Sequence, residues 1–433
     1  MAELPVRAFS SEWERRERGE KRSLERAWLL AEGLGLADPG RQVLTVVGSK
    51  GKGTAAAYAS AHLAAAGLRV VTVTSPGLRG IGDRIRYQGR ALSARELTRL
   101  AERLGAARAG LPSYRPGGGY LSPSGLFIMA GLLHARTVQA DVVVLEAGMG
   151  GISDEVSLFA PTVVGVTAIF GEHLGVLGDS PAEVARNKAG VVSAVTRAVV
   201  SLPQETRIAE ALTQTVAARS AGRLGVELIR AGSSAIPSRL LPAGFGRANA
   251  ELGSVAAQRT IDVTTGDIPG IPAKQRLLDT LSSVAIPGHC SWHDVPCTRV
   301  HMFADSAINR AGVSAALMEI HRRWDGIDRV LLCLPDHKDV PGAIAELRGL
   351  PVTYVRLTDK TWLSFTHPIP PGWEVVDIEK VDAQFLAACG ERIAVLGTAY
   401  FIARMLDVAE VDTECLFVAP RGARQQAAAV RDK

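Results

Sequence analysis

A glycine-rich loop carries the residues with the clearest chemical potential in this sequence. It follows a short apolar run, Val43–Val47, and precedes an alanine-rich stretch, Thr54–Ala66. At such a junction, backbone N–H groups can surround phosphate oxygens, and the N-terminus of the following helix favours negative charge. Lys52 is placed to reach the β- and γ-phosphates of a nucleotide, and the Thr54 hydroxyl to reach Mg²⁺. The loop consists of Gly48, Ser49, Lys50, Gly51, Lys52, Gly53 and Thr54.

The spacing of this loop differs from the usual G-x-x-x-x-G-K-[ST] pattern because Gly53 separates the lysine from the threonine. Glycine turns also serve plain chain reversal, so the loop alone leaves both interpretations open. Three further apolar runs end in polar residues, namely Ser75, Glu146 and the pair Glu172 and His173. The carboxyl ends of parallel strands share one edge of a sheet, and Mg²⁺ takes one or two carboxylates together with nucleotide phosphates. Singly, Glu146 could be an exposed strand end and His173 a surface histidine; jointly they predict a nucleotide and metal site.

Strands and helices alternate along most of the chain, which is typical of parallel α/β sheets. The alternation weakens between Pro203 and Pro296 and restarts at Thr298. The pattern therefore predicts an α/β fold. We expect a P-loop-type, mostly parallel sheet domain with flanking helices over residues 1–296, a smaller Rossmann-like domain over 297–420 and a frayed tail over 421–433. A single amphipathic helix is predicted over residues 11–35.

Composition excludes several classes of protein. The 433 residues are 47% apolar and 21% charged, which does not fit a disordered or fibrous chain. The formal net charge of +5 is modest and the bases are scattered, so no nucleic-acid partner is expected. Five cysteines, an odd number, suggest reduced thiols in a cytoplasmic protein, and no apolar run is long enough to predict a membrane span.

Three blocks of sequence together resemble the folylpolyglutamate synthases, the folate branch of the Mur-type ligases. They are VVGSKGKGT with its continuation to Arg86, VVVLEAGMGG, and GEHLGVLGDSPAEVARNKAGVV. Weaker similarity continues around Asn249, Asp305–Asn309, Asp336–Asp339 and Val395–Tyr400. The resemblance implies the two-domain Mur ligase architecture, and we expect a monomer. It also implies a reaction in which ATP activates a carboxylate to an acyl phosphate, which an amine then attacks to give an amide, ADP and phosphate.

The resemblance also assigns roles to individual residues. Lys52 and Thr54 would hold phosphates and a first Mg²⁺ together with Ser75 and Glu146, whereas His173 and a carbamylated Lys188 would support a second Mg²⁺. Without the resemblance, Lys188 would be interpreted as a solvated helix lysine. Nucleotide contacts from elsewhere in the chain would come from Asn249, His289 and Asp305.

Several positions depart from the family pattern, chiefly on the substrate side. The aromatic and acidic residues of a T-[FY]-F-E motif are replaced by Ser122-Pro123-Ser124-Gly125, and the asparagine of T-N-G-K-G-[ST] by Lys50. A flat pterin ring favours aromatic neighbours. We therefore expect the same reaction on a non-folate carboxylic acid, joined to an amino acid or amine in a biosynthetic pathway.

Three alternatives stay open. The chain could be a genuine folylpolyglutamate or dihydrofolate synthase that adds glutamate to folates, or a relative that binds ATP without turnover. An unrelated P-loop kinase or NTPase is disfavoured by Gly53 and by the second α/β domain. A cluster of His and Cys, namely His289, Cys290, His293, Cys297 and His301, contains zinc-ligand types, but its spacing matches no usual zinc pairing and an ordinary linker is the preferred interpretation.

Overall fold

The computed structural model of the chain describes residues 3–420 except 39, 231, 235, 243, 245, 265–273 and 361. The predicted tail over 421–433 lies outside the described residues. The chain forms two compact units. The first takes the residues up to 241, then 247–285 and 414 onward, and the second takes 242–246 and 286–413.

An eight-stranded, mostly parallel sheet forms the centre of the first unit. The bounds in chain order are α1 Glu3–Arg15, α2 Leu24–Gly33, β1 Gln42–Val47, α3 Lys52–Ala65, β2 Val70–Val73, β3 Ile85–Tyr87, β4 Arg90–Ala91, α4 Ala94–Arg108, α5 Pro123–Thr137, β5 Val142–Glu146, β6 Val163–Val166, α6 Pro181–Ala189, β7 Ala198–Ser201, α7 Thr206–Arg219, β8 Glu227–Leu228, α8 Gly246–Val263 and α9 Lys274–Ser282. The spatial order is β4-β3-β2-β5-β1-β6-β7-β8. The pairs β2–β3 and β3–β4 are antiparallel, and the other pairs of this sheet are parallel. Strands β1, β2, β5 and β6 are valine-rich runs buried on both faces, as parallel sheets require.

The register of the central strands aligns the polar residues that follow them. Val46 of β1 lies opposite Glu146 of β5, and Val73 of β2 lies opposite Leu145. The glycine loop after β1, Ser75 after β2 and Glu146 at the end of β5 therefore meet at one edge of the sheet.

Helix α3 is buried around almost its whole circumference, which explains its alanine-rich sequence. Helix α8 crosses it closely: a Cβ added to Gly253 would lie 2.1 Å from the carbonyl oxygen of Ala55. A side chain at position 253 would force the two helices apart, so the small residues of α3 and α8 allow the two helices to pack closely.

The second unit contains a six-stranded sheet of its own, as predicted. Its elements are β9 Ser291–Asp294, β10 His301–Asp305, α10 Arg310–His321, β11 Arg329–Cys333, α11 Val340–Glu346, β12 Val352–Arg356, β13 Glu374–Asp377, α12 Ala383–Cys389, β14 Arg392–Gly397 and α13 Ala399–Val408. The spatial order is β13-β12-β11-β14-β10-β9, with β9 antiparallel at one edge. None of the helices in the described part of the chain combines the length and apolar content needed to cross a membrane.

Two features differ from the sequence predictions. The helix expected over residues 11–35 is two helices, because Gly19 adopts a positive φ of 82° and the Ser23 side chain caps α2 by accepting a hydrogen bond from the backbone N–H of Arg26. The boundary expected near 296 falls inside the second unit, because β9 pairs with β10.

The residues from 414 onward also differ from prediction, because they rejoin the first unit. Residues 414–418, here called the returning segment, lie beside the β3–β4 turn. The backbone N–H of Ala91 donates to the Glu414 carbonyl at 2.7 Å, and that of Leu416 donates to the Gly89 carbonyl at 2.9 Å. Phe417 is buried within this unit. The second predicted domain, 297–420, therefore extends too far at its C-terminal end.

Candidate nucleotide and metal site

The glycine loop begins α3 in the geometry that phosphate binding requires. Gly51 is the N-cap of α3 and has a positive φ of 87°. A Cβ at this position would lie 2.1 Å from Nδ2 of Asn249, so the close approach of α8 also demands glycine. Lys52 is the first helical residue, and its Nζ donates to the carbonyl oxygens of Gly48 at 3.0 Å and Ser49 at 3.4 Å. The loop thus folds back on the lysine and keeps its charge at the helix N-terminus.

Glu146 lies beside this loop at the end of β5. One of its carboxylate oxygens, Oε2, accepts the backbone N–H of Ser75 at 2.9 Å, and a Cβ at Gly53 would lie 3.5 Å from the same oxygen. Burial raises the pKa of Glu146 above its ordinary value, although Lys52, the N–H of Ser75 and Arg84 oppose this shift. Thr54 is also buried. The residues predicted from the β1, β2 and β5 ends are therefore close together.

Lys188 occupies this edge as a buried cation. Only 1% of its side chain is exposed, and its Nζ donates to the Gly48 carbonyl and to Oε1 of Glu172, each at 2.8 Å. Burial lowers the pKa of Lys188, and the nearby Lys52 lowers it further, whereas Glu172 opposes both effects. Two lysine ammonium groups thus share one carbonyl oxygen, that of Gly48. The interpretation of Lys188 as a solvated helix lysine is wrong.

The other predicted residues lie at separate places. His173 follows β6 with a positive φ of 49°, and its carbonyl accepts the N–H groups of Val176 and Leu177. Its participation in the site stays a prediction. His289 and Asp305 belong to the second unit, where Asp305 ends β10 and accepts the Cys290 N–H at 2.8 Å. Their nucleotide contacts likewise stay predictions.

The cluster of His and Cys has other hydrogen-bond partners. Nε2 of His293 lies 2.7 Å from the Ser291 hydroxyl, and Nδ1 of His301 lies 2.6 Å from Asp294. Among the described residues, no group of three or more His, Cys, Asp or Glu side chains is arranged to hold a metal ion.

Arg84 is a functional candidate that sequence reasoning missed. Its guanidinium donates to the Ser75 hydroxyl at 3.0 Å and lies 4.1 Å from the centre of the Phe127 ring. Phe9 stacks on Phe127 with ring centres 4.0 Å apart. Arg84 thus fixes Ser75 and adds positive charge near Glu146. Its only sequence signal is the Asp83-Arg84-Ile85 triplet, which becomes informative once the antiparallel β2–β3 pairing is known.

The oxygen groups at this edge fit one magnesium ion. The hydroxyls of Thr54 and Ser75 and the carboxylate of Glu146 are hard ligands of the kind that Mg²⁺ prefers. Burial disfavours the charged form of Glu146, and a bound cation would offset that cost. Lys188 does not fit as a metal ligand in its amine form, because Nζ is a hydrogen-bond donor here. A second metal at this position would need the lysine in an anionic form such as the carbamate.

Comparisons with known proteins bear on the fold and on part of the sequence. No family model matches the chain. A dihydrofolate synthase/folylpolyglutamate synthase from Escherichia coli (strain K12) is 34% identical over 181 residues, which is 42% of this chain and 41% of that protein. Two crystal structures cover nearly the whole chain. The Mycobacterium tuberculosis folylpolyglutamate synthase with ADP and AMPPCP has a TM-score of 0.70 at 19% identity, covering 90% of this chain and 96% of that one.

The chain has the fold of the folylpolyglutamate synthases. The second structure agrees with the first: a bifunctional folylpolyglutamate synthase/dihydrofolate synthase from Yersinia pestis, complexed with AMPPNP and a Mn ion, has a TM-score of 0.70 at 22% identity and covers 91% of this chain and 95% of that one. The predicted resemblance to this branch and the predicted fold class are confirmed. In sequence, however, the chain spans under half the length of the curated folylpolyglutamate synthases that it matches first.

Proposed function

We propose that the protein is an ATP-dependent ligase that joins a carboxylic acid to an amine and releases ADP and phosphate. The convergence of Lys52, Thr54, Ser75, Glu146 and Lys188 at one edge of the first sheet carries this proposal. A scaffold that binds ATP without turnover has no need of a buried lysine beside the phosphate loop, because burying an ammonium group is unfavourable.

The proposed chemistry follows from charge. An acyl phosphate forms when a carboxylate attacks the γ-phosphorus of ATP, so negative groups must approach one another. Mg²⁺ would supply charge neutralisation when bound, with Thr54, Ser75 and Glu146 as its protein ligands. Lys52 at the N-terminus of α3 would hold the phosphate oxygens. Preorganised cations of this kind stabilise a transferring phosphoryl group without rearrangement at the moment of reaction.

For the acid substrate, we propose a folate that receives glutamate. This was the alternative in the sequence analysis, and the names of the relatives favour it over the non-folate acid: each of those compared above is a folylpolyglutamate synthase, a dihydrofolate synthase or both. We further propose that Lys188 is carbamylated in the working enzyme, since burial lowers its pKa and so raises the fraction of the neutral amine that reacts with CO₂.

One observation supports the non-folate acid as a second candidate. Phe127 lies two residues after the Ser122–Gly125 segment in α5, and its ring faces are covered by Arg84 and by Phe9. This ring is therefore not available to stack on a pterin.

An ADP-release assay tests these proposals. We expect ADP only when ATP, an acid and an amine are all present, with dihydropteroate or a reduced folate plus glutamate as the best pair. Aliphatic and aryl acids without a pterin form the comparison panel. Turnover with those acids alone would favour the second candidate, and measurable ATP binding without ADP release for any pair would contradict the ligase proposal.

A further inference from the structure

Gly125, in the first turn of α5, lies against the buried side chain of Glu155. A Cβ added to Gly125 would lie 2.4 Å from Cγ of Glu155, 2.6 Å from its Cδ and 2.9 Å from its Oε1. Glu155 is 0% exposed, so its side chain occupies the space that a side chain at position 125 would take. The acidic residue of the T-[FY]-F-E motif is missing from the Ser122–Gly125 segment. Glu155 brings a carboxylate to this place from another part of the chain.

Arg22 pairs with this acid and with its neighbour, Asp154. Nη1 of Arg22 donates to Oε2 of Glu155 at 2.6 Å and to Oδ2 of Asp154 at 3.0 Å, so one cation faces two buried carboxylates. Burial raises the pKa of Glu155, whereas Arg22 opposes this shift. The N-terminal end of α5, a 15-residue helix, adds a favourable dipole beside the carboxylate. The buried position of Glu155 therefore depends on both Arg22 and α5.

The loop that follows β5 packs between the first turn of α5 and Asp154. A Cβ added to Gly148 of this loop would lie 3.0 Å from Cβ of Ser124, in α5, and 3.4 Å from Oδ2 of Asp154. The same oxygen of Asp154 accepts the backbone N–H of Met149 at 2.8 Å. The two walls therefore leave the loop little freedom to move.

Glu155 sets the distance between these walls, because it adjoins Asp154 in the chain and its side chain contacts the first turn of α5. The loop starts directly after Glu146, the predicted magnesium ligand. We propose that Glu155 is a positioning residue of the metal site. By bridging α5 and Arg22 it holds the loop in place and thereby orients Glu146. The inference rests on the function proposed above only in assigning Glu146 to the metal.

Moving the acid back to α5 tests this proposal. The carboxyl carbon of a glutamate lies about 2.5 Å from its own Cβ, which matches the 2.6 Å between a Cβ at position 125 and Cδ of Glu155. The double variant Gly125→Glu/Glu155→Ala should therefore restore what Glu155→Ala loses. Gly125→Glu alone should lower the urea midpoint, because two side chains then compete for one space.

Titration calorimetry with AMPPNP, in Mg²⁺ and in EDTA, separates positioning from folding. In Mg²⁺ we expect Glu155→Ala to raise the Kd about tenfold, because residues that orient a metal ligand contribute to metal affinity without touching the metal. In EDTA the Kd should not change, because the glycine loop is intact. Glu102→Ala, at an exposed glutamate of α4, is the matched control and should leave both Kd values unchanged.

Three results would overturn the positioning role. They are an unchanged Kd for Glu155→Ala in Mg²⁺, an equal loss of affinity with and without the metal, and a folded double variant that regains no affinity. If Glu155→Ala does not fold, Glu155→Gln replaces it with the same expectation, since the amide keeps the side-chain volume and removes the charge that pairs with Arg22.

The ADP-release assay separates this proposal from the proposed function. Binding of Mg²⁺ and AMPPNP that depends on Glu155, in a protein that releases no ADP with any acid, supports the positioning role and overturns the ligase. ADP release by Glu155→Ala at the Mg²⁺ requirement of the unchanged protein overturns the positioning role while the ligase stands. A tenfold higher Mg²⁺ requirement, with kcat recovered at saturating Mg²⁺, supports both.

Discussion

The candidate site residues of the two units differ in how far their ionisable side chains are exposed to solvent. In the first unit, Glu146 and Lys188 are 7% and 1% exposed, and each has a pKa displaced by burial. In the second unit, Asp305 is half-buried and His289 is exposed. The first edge is a preorganised set of charges and the second presents groups that water still reaches. We therefore expect the chemistry to depend on the first unit, and the second to add affinity.

The largest expected effect is the loss of Lys188. Lys188→Ala should lower kcat about 10³-fold, because a preorganised charge beside the phosphate loop is removed. If the lysine works as a carbamate, short carboxylates added to the assay should restore part of the activity. Lys380→Ala, at an exposed lysine of the second unit, is the control. Full activity in Lys188→Ala would contradict the assignment of the chemistry to the first unit.

The second prediction concerns the stability of the first unit, to which the returning segment contributes. Phe417 is 1% exposed, so Phe417→Ala should destabilise the first unit by about 4 kcal/mol. Val418→Ala is the matched control, because Val418 is 64% exposed and should change stability by less than about 0.5 kcal/mol. Urea unfolding followed by proteolytic mapping measures both changes. Equal midpoints for the two variants would show that the segment is dispensable.

Lowering the pH should decrease the free energy of unfolding of the first unit, because His62 is buried in its neutral form. Burial lowers the pKa of this histidine in α3 to about 4, and its Nδ1 lies 2.7 Å from the Ser254 hydroxyl of α8. In the unfolded chain His62 has its ordinary pKa of about 6.5, so between pH 6.5 and pH 4 the unfolded state binds more protons than the folded state. The free energy of unfolding therefore falls as the pH drops through that window, by about 3 kcal/mol in total. Urea midpoints from pH 7 to pH 4 measure the loss.

His62→Gln keeps a hydrogen-bonding group that does not titrate, so the variant should lose most of this pH dependence. A smaller slope should persist, because burial also lowers the pKa of His134 in the same unit. An unchanged slope in His62→Gln would assign the acid sensitivity to other groups.

The smallest expected effect belongs to the second unit. If Asp305 contacts ATP as the sequence predicts, Asp305→Asn should raise KM for ATP roughly tenfold and change kcat little, since a half-buried side chain would contribute affinity more than chemistry. The amide also keeps the oxygen that accepts the Cys290 N–H, which limits the structural disturbance. A fall in kcat comparable to that of Lys188→Ala would remove the distinction between the units.

Sequence reasoning worked best where the signal is local. The valine run of β1, the glycines of the loop and the alanines of α3 are adjacent in the chain, and strand ends that share an edge follow from parallel pairing. The proximity of Glu146 to Lys52 could be inferred in this way.

The missed features depend on residues distant in sequence. The Glu172 partner of Lys188, the pairing of Arg22 with Asp154 and Glu155, and the position of Arg84 arise from packing that no periodicity encodes. The returning segment was missed for the same reason, because a few residues that pair through backbone hydrogen bonds have no pattern distinct from a loop. The single helix predicted over 11–35 failed because the charged residues around Gly19 fit a helical pattern as well as a turn.

The returning segment also fixes an order of events during biosynthesis. Because residues 414–418 leave the ribosome after the whole of the second sheet, the edge beside Gly89 and the space that Phe417 fills stay open while residues 286–413 are being made. The first unit therefore cannot complete its fold before these last residues are released, although most of its sheet is synthesised first. A nascent chain stalled before residue 414 would therefore expose the edge beside Gly89 in its N-terminal half, even though the strands of that half were synthesised first.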